Sequence, residues 1–187
     1  MHDMTALTAL GGASAQVDTF DGLEISECPD WALASLAGRL GQEAGSAKAA
    51  QAYLGKPLPD VGTCTAATPF YVFWTGPDQW MIEAPHDSHE DLAAQVKAAV
   101  LDTSSVTEQT DGWVRFDLAG PRCHDVLELL CNADTRSMAA HTTTRTRMEH
   151  LGCFLICRAV GHFSVLGPRS SAGSLHHALI TAARSAI

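Results

Sequence analysis

The apolar positions in the first half of the chain predict strands and helices in alternation. Residues 23–27 alternate between apolar and polar side chains and stop before a proline, as a short strand does. From Asp30 onward the apolar residues recur at helical spacing, so we expect a helix over 30–40. Its predicted apolar stripe is Leu33, Leu36, Ala37 and Leu40. A second short helix is expected over 47–54, where Gly55 ends it.

A β-hairpin is the clearest prediction in this half. The apolar run 70–73 leads to Gly76-Pro77-Asp78, three residues that favour a turn. After the turn, Trp80 and Ile82 alternate with a second set of side chains, namely Gln79, Met81 and Glu83. We therefore expect a hairpin that packs on one face and has a turn of more than two residues.

A helix and a strand are expected after the hairpin. Ser88 and Asp91 are three positions apart, which resembles a capping box at a helix start. An apolar stripe at helical spacing follows, formed by Leu92, Val96 and Val100. Residues 105–109 then have the pattern of a short strand.

The second half repeats this order of elements. Residues 113–118 alternate cleanly and predict a strand, with Val114, Phe116 and Leu118 facing inward. Gly120-Pro121 precedes a helix, because proline is favoured at the first helical position. The buried face of that helix is predicted to contain Val126, Leu127 and Leu130. Three further elements are expected: a hairpin over 142–158 turning near Glu149-His150, a strand over 162–166 and a final helix containing Leu175 and Leu179.

These elements predict an α+β fold. The order strand–helix–hairpin–helix occurs twice, as a split βαβ layout does, so we expect a mostly antiparallel sheet with helices packed on it. The predicted domain is 17–187, with pseudo-repeated halves at 17–110 and 111–187. Residues 1–16 are small and polar without periodicity, and they are expected to form a disordered or loosely held arm.

Composition and charge exclude several classes of protein. The chain has 187 residues, 46% of them hydrophobic and 18% charged, which is typical of a globular protein. A net charge of −9 disfavours binding to nucleic acid and to anionic membrane surfaces. No apolar run reaches the roughly 20 residues that span a bilayer, and the N-terminus lacks a signal-peptide pattern. A cytoplasmic protein is the expectation.

The residues that usually carry catalysis or bind metals do not form known motifs. Six cysteines are spread along the chain, and the closest pair, Cys153 and Cys157, falls in a predicted strand. At about 3.3 Å per residue these two thiols lie roughly 13 Å apart, too far to share a metal ion. The nine histidines form no His-Glu-x-x-His motif, and neither Gly-x-Ser-x-Gly nor Gly-x-Gly-x-x-Gly occurs after a strand. We expect no catalytic, cofactor-binding or metal-binding residue on this chain.

Arginine and tryptophan residues on two predicted strands suggest a partner interface. Trp113 and Arg115 share the outward face of one strand, and Arg145 and Arg147 share the polar face of another. Both residue types are favoured at interface hot spots. The alternative is that these are ordinary solvated strand faces with scattered charges.

Several segments resemble one family, the gamma subunit of heterotetrameric sarcosine oxidase, in the aminomethyltransferase or folate-binding-like superfamily. The hairpin Trp74-Thr75-Gly76-Pro77-Asp78-Gln79-Trp80-Met81-Ile82 is similar to a W-x-GPDEW-hydrophobic hairpin of that subunit. The segments 118–127 and Thr144-Arg145-Thr146, and Arg169-Ser170-Ser171-Ala172 before the last helix, are similar as well. They occur in the family's order from about residue 20 to the end.

The resemblance implies an aminomethyltransferase-like fold and a non-catalytic role in a cytoplasmic complex. The partners would be the alpha, beta and delta subunits, which would bind FAD, FMN, NAD and tetrahydrofolate. The complex would oxidise sarcosine to glycine, with tetrahydrofolate as the one-carbon acceptor, and this chain would contribute to assembly and stability.

A free-standing folate-binding aminomethyltransferase-like protein is the alternative. Folate-binding relatives carry a Lys-Gly-Cys-Tyr-x-Gly-Gln-like segment. The nearest stretch here, Gly152-Cys153-Phe154, lacks both the lysine and the glutamine.

Overall fold

The structure is a computed structural model that describes residues 6–187, and it divides into two compact units. Among the described residues, the first unit contains 6–29, Asp111–Ala140 and Thr144–Ile187. The second contains Asp30–Thr110 and His141–Thr143. The predicted mixture of helices with antiparallel sheets is confirmed, since the described residues form two antiparallel sheets and four α-helices. No helix in this part of the chain is long and apolar enough to cross a membrane.

The first unit is built on a six-stranded sheet. Its strand order is β1-β2-β8-β11-β10-β9. The strands are β1 (Val17–Phe20), β2 (Leu23–Glu27), β8 (Trp113–Ala119), β9 (Thr142–Met148), β10 (Leu151–Ala159) and β11 (His162–Pro168). Helices α3 (Cys123–Leu130) and α4 (Ala172–Ala186) belong to the same unit. As predicted, Val114, Phe116 and Leu118 are buried, and they join Val126, Leu127, Leu175 and Leu179 in one hydrophobic core.

The first two strands belong with the second half of the chain, which corrects the predicted division. β2 pairs with β8 in antiparallel register, for example Glu24 with Ala119 and Ile25 with Leu118. Residues 17–29 therefore lie in the first unit and do not belong to a half formed by 17–110. Such long-range pairing leaves no signal in local periodicity.

The turn after β8 requires a glycine. Gly120 has φ +133°, and a Cβ at this position would lie 2.3 Å from the carbonyl oxygen of Gly22. A side chain would therefore collide with the backbone between β1 and β2. The absence of a side chain lets the β8–α3 turn approach that backbone closely.

The second unit is built on a five-stranded sheet. Its strand order is β4-β5-β6-β3-β7. The strands are β3 (Trp31–Gly38), β4 (Cys64–Ala67), β5 (Phe70–Gly76), β6 (Gln79–Pro85) and β7 (Ser104–Glu108), and the helices are α1 (Glu43–Leu54) and α2 (Leu92–Val100). The predicted stripe Leu92, Val96 and Val100 is buried in this unit's core, with Ala50 and Leu54 of α1.

The helix predicted over 30–40 is wrong, because this segment is the strand β3. β3 pairs with β6 on one side and β7 on the other. Ala32, Ala34 and Leu36 face the core of the unit, and Leu33 on the opposite face is buried too. A strand buried on both faces is apolar at consecutive positions, and such a run can coincide with a helical stripe.

The predicted hairpin forms between β5 and β6, but its turn is shorter than expected. Gly76 pairs with Gln79, so only Pro77 and Asp78 connect the strands, and Asp78 has φ +53°. A register shift between Trp74 and Gly76 accompanies this turn. Both faces of β6 are buried in its second half, since Met81 and Glu83 are buried on the face opposite Ile82. The expectation of one packed face is therefore also wrong.

Two smaller expectations about chain ends and caps fail as well. Residues 6–16 of the predicted arm are not loose, because the Glu27 carboxylate accepts hydrogen bonds from the N–H groups of Leu10 (3.0 Å) and Gln16 (3.2 Å). Residues 1–5 lie outside the described part. The Ser88 hydroxyl does not cap α2 but donates to the carbonyl of Pro85 at 3.3 Å.

Candidate functional site

Charged and polar side chains of the first unit converge on Asp117, in the middle of β8. The alternation of the strand puts Arg115 on the same face, and the register of β11 puts Ser164 directly opposite Asp117. We call Arg115, Asp117, Arg158, His162 and Ser164 the Asp117 cluster.

The Asp117 carboxylate is bonded through both oxygens. Arg115 donates from Nε to Oδ1 at 2.8 Å and from Nη2 to Oδ2 at 2.7 Å. Ser164 Oγ donates to Oδ1 at 2.6 Å, and His162 Nε2 lies 3.1 Å from Oδ2. Arg158 extends the cluster, because its Nε donates to Ser164 Oγ at 2.8 Å. The main lone-pair directions of the carboxylate are therefore occupied.

The surroundings of Asp117 hold it in the charged form. Burial alone raises the pKa of this carboxyl, but hydrogen bonds from His162, Arg115 and Ser164 and the Arg115 charge together lower it well below its usual range. Cys28 lies nearby, with its N–H donating to the Arg115 carbonyl at 2.9 Å. Burial, and then the Asp117 charge, raise the pKa of the Cys28 thiol to about 12.

This arrangement favours a structural role over a catalytic one. Ser164 and His162 both bond to the same carboxylate and not to each other, so they do not form a nucleophile with its base. A carboxyl with a strongly lowered pKa is a poor proton acceptor at neutral pH. The sequence could have indicated the Arg115–Asp117 pair through strand alternation, but nothing in it predicted that Ser164 and His162 lie opposite.

The four residues predicted as a partner interface have different surroundings. Arg115 is only 8% exposed and pairs with Asp117. Trp113 is half-buried, with its ring centre 5.2 Å from that of Phe154. The Arg145 guanidinium carbon lies 5.7 Å from the same Phe154 ring. Phe154 thus brings Trp113 and Arg145 together, a contact that the sequence does not predict.

An open groove of about 1030 Å³ runs beside the exposed residues Arg145 and Arg147. We call it the β9 groove. Its lining residues come from the end of α3 and from the β9–β10 hairpin: Glu128, Leu129, Leu130, Cys131, Asn132, Arg145, Thr146, Arg147, His150 and Gly152. The cationic side chains are Arg145 and Arg147. The acid in the groove, Glu128, is already bonded to Arg136 at 2.6 Å.

No disulfide bond joins any of the six cysteines, which all lie within residues 6–187. Burial raises the pKa of Cys123 and of Cys153 to about 11 in each case. Among residues 6–187, no group of three or more His, Cys, Asp or Glu side chains is placed to hold a metal ion.

Comparison with known proteins supports the fold. The sequence matches no protein-family model and no curated protein sequence. A chain of the heterotetrameric sarcosine oxidase of Corynebacterium sp. U-96, solved in complex with pyrrole 2-carboxylate, matches with a TM-score of 0.76 at 22% identity. The match covers 87% of this chain and 84% of that one.

A second solved structure has a related fold. The glycine cleavage system aminomethyltransferase T of Bartonella henselae matches with a TM-score of 0.63 at 14% identity. The match covers 82% of this chain but only 44% of that one, so this chain spans less than half of the aminomethyltransferase. The expected similarity to aminomethyltransferase-type folds is therefore confirmed.

Proposed function

We propose that this chain is a non-catalytic subunit, of the gamma type, in a heterotetrameric sarcosine oxidase complex. The observation that carries the proposal is the structural match to a chain of such an enzyme over 84% of that chain's length. The segments that resemble the gamma subunit support the same assignment, from Trp74–Ile82 to Arg169–Ala172.

The Asp117 cluster supports a subunit without its own chemistry. Its carboxylate is engaged by donors on both oxygens, and its lowered pKa disfavours proton transfer. In this proposal the alpha, beta and delta subunits bind FAD, FMN, NAD and tetrahydrofolate. The cytoplasmic complex demethylates sarcosine to glycine, and this chain contributes to assembly and stability.

We further propose that the two units are pseudo-repeats of one another. Strands β4-β5-β6-β3-β7 of one sheet correspond in order to β9-β10-β11-β8-β2 of the other. The connections support this correspondence, since β3 and β8 each lead to a helix, then to three consecutive strands, then to a second helix. In the first unit, β2 takes the place that β7 takes in the second.

Co-purification tests the subunit role. The chain, carrying an affinity tag, is co-expressed with the large flavoprotein subunits of a sarcosine oxidase from the same organism. We expect a stoichiometric yellow complex to be retained with the tag, whereas the chain expressed alone is colourless. Retention of this chain alone, with all subunits well expressed, would contradict the proposal.

A free-standing folate-binding protein is the second candidate, favoured by the match to the aminomethyltransferase. It predicts that the isolated chain binds tetrahydrofolate. Isothermal titration calorimetry on the isolated chain distinguishes the two candidates, because the subunit proposal expects no saturable binding heat. A saturable folate site with one equivalent per chain would favour the second candidate.

A further inference from the structure

We infer that the β9 groove is a docking site for an extended acidic segment of a partner polypeptide, which adds as a strand to the open edge of β9. That the partner is another subunit of the complex rests on the proposed function. The site itself follows from the strand edge, the charges and the space beside them.

β9 offers an edge that no strand among residues 6–187 occupies beyond its first residues. It is the last strand of the six-stranded sheet. At its beginning, Thr142 forms a bridge with Thr63, and the Thr143 N–H donates to the Gly62 carbonyl at 2.9 Å. The remaining residues 144–148 extend about 17 Å at roughly 3.4 Å per residue. This length accommodates a short strand.

The backbone direction at Thr143 identifies which residues face the open edge. In an antiparallel strand, the N–H and C=O of every second residue point to the same side. Because the Thr143 N–H points outward to Gly62, the backbone groups of Arg145 and Arg147 point outward as well. These two residues therefore combine available main-chain groups with exposed cationic side chains. Main-chain pairing with added side-chain recognition is how strand addition works.

The charges in the groove favour an acidic occupant. Arg145 and Arg147 contribute two positive charges, and Glu128 is already paired with Arg136. The end of α3 adds a partial negative charge of about one half at most, which two guanidinium groups outweigh. The chain as a whole has a net charge of −9, so this cationic strand edge contrasts with the rest of the molecule.

The shape of the groove leaves room for side chains of an added strand. Leu129 is 59% exposed on one wall, where it offers apolar contact. On the other side is Gly152, and a Cβ built there meets nothing within 4 Å. Arg145 is oriented by the Phe154 ring. The groove thus combines a cation that lies against an aromatic ring with an apolar wall and open space.

Fluorescence anisotropy with a defined peptide tests the inference. The probe is a fluorescein-labelled heptapeptide of alternating glutamate and valine. It is compared with the same peptide carrying lysine in place of glutamate, and with an acidic version N-methylated at alternate amides. We expect the wild-type chain to bind the acidic probe at least tenfold more tightly than either comparison peptide.

Two variants remove the site in different ways. Arg145→Glu/Arg147→Glu reverses the charge, and Gly152→Glu fills the open space with a negative side chain. Each is expected to weaken binding of the acidic probe at least tenfold. Lys48→Glu/Arg184→Glu, which makes the same change in net charge at exposed positions outside the groove, is expected to bind like wild type. Thermal melting verifies folding of each variant.

Several outcomes overturn the inference. These are no binding of the acidic probe, equal binding of the N-methylated probe, equal loss in the Lys48/Arg184 control, or full displacement by citrate at matched carboxylate concentration. The last result would indicate a site for small anions. Failure of the proposed function is distinguishable, since peptide binding would persist while co-purification with the sarcosine oxidase subunits fails. If the complex forms but the probe does not bind, only the docking site is wrong.

Discussion

The Asp117 carboxylate is bonded to Arg115, His162 and Ser164, and its substitution should destabilise the fold. Asp117→Asn removes the charge that neutralises Arg115, which is only 8% exposed. Losing one partner of a buried ion pair costs about 3–5 kcal/mol. Urea unfolding at pH 7 measures the change. Asp125→Asn is the matched control, because its partners Arg122 and Arg136 are more exposed, and a smaller loss is expected there. Equal losses in the two variants would contradict this account.

The same carboxyl should make stability depend on pH in the acidic range. Because the folded-state pKa of Asp117 is lowered, its contribution is present above the unfolded value of about 3.9. The contribution is lost as the pH falls below that value and through the folded-state pKa. Urea unfolding between pH 7 and pH 3 should therefore show a steeper loss for wild type than for Asp117→Asn. Parallel curves would mean that Asp117 titrates normally.

The buried thiols should resist alkylation in the native chain. Burial raises the pKa of Cys123 and of Cys153 to about 11, so few thiolates exist at pH 8. Iodoacetamide labelling followed by peptide mass spectrometry should find these two unmodified until urea is added. Cys64, which is half-exposed, serves as the internal control and should react first. Rapid native labelling of Cys153 would contradict its buried position.

At the level of secondary-structure elements, mutations can test whether residues 31–38 form the strand β3 or part of the helix predicted over 30–40. A helix over 30–40 would bury Leu36 and Leu40 on one stripe, whereas the strand buries Leu36 completely and leaves Leu40 99% exposed. Leu36→Ala should cost about 2–5 kcal/mol in the free energy of unfolding. Leu40→Ala should change it by less than about 0.5 kcal/mol. Similar costs at both positions, measured by urea unfolding, would favour the helix.

The local sequence pattern predicted those helices and strands that bury only one face. The stripe Leu92, Val96 and Val100 and the alternation of Val114, Phe116 and Leu118 each face one core, so period and burial agree. The prediction for β3 failed because Leu33, on the face opposite Ala32, Ala34 and Leu36, is apolar and buried as well, which obscures the alternation that marks a strand. The pairing of β2 with β8 joins residues about ninety positions apart, and periodicity contains no information on such pairing.

The candidate site was less predictable than the fold for a similar reason. The sequence predicts Arg145 and Arg147 on one polar strand face, and both line the β9 groove. The groove itself depends on where α3 ends beside an edge strand, which only the strand order determines. Likewise, the Asp117 cluster needs the β8–β11 register to bring Ser164 opposite the carboxylate. The sequence shows which residue types are present, but it does not show that these side chains lie close together in the fold.

For the molecule as a whole, we propose that this chain supports a complex whose chemistry lies on the other subunits. The most direct test measures sarcosine oxidation by co-expressed alpha, beta and delta subunits, with this chain either included or omitted, alongside native mass spectrometry of the assembly. We predict no turnover by the chain alone, one copy in the active complex, and loss of the assembly when it is omitted. A complex that assembles and oxidises sarcosine equally well without this chain would contradict the claim.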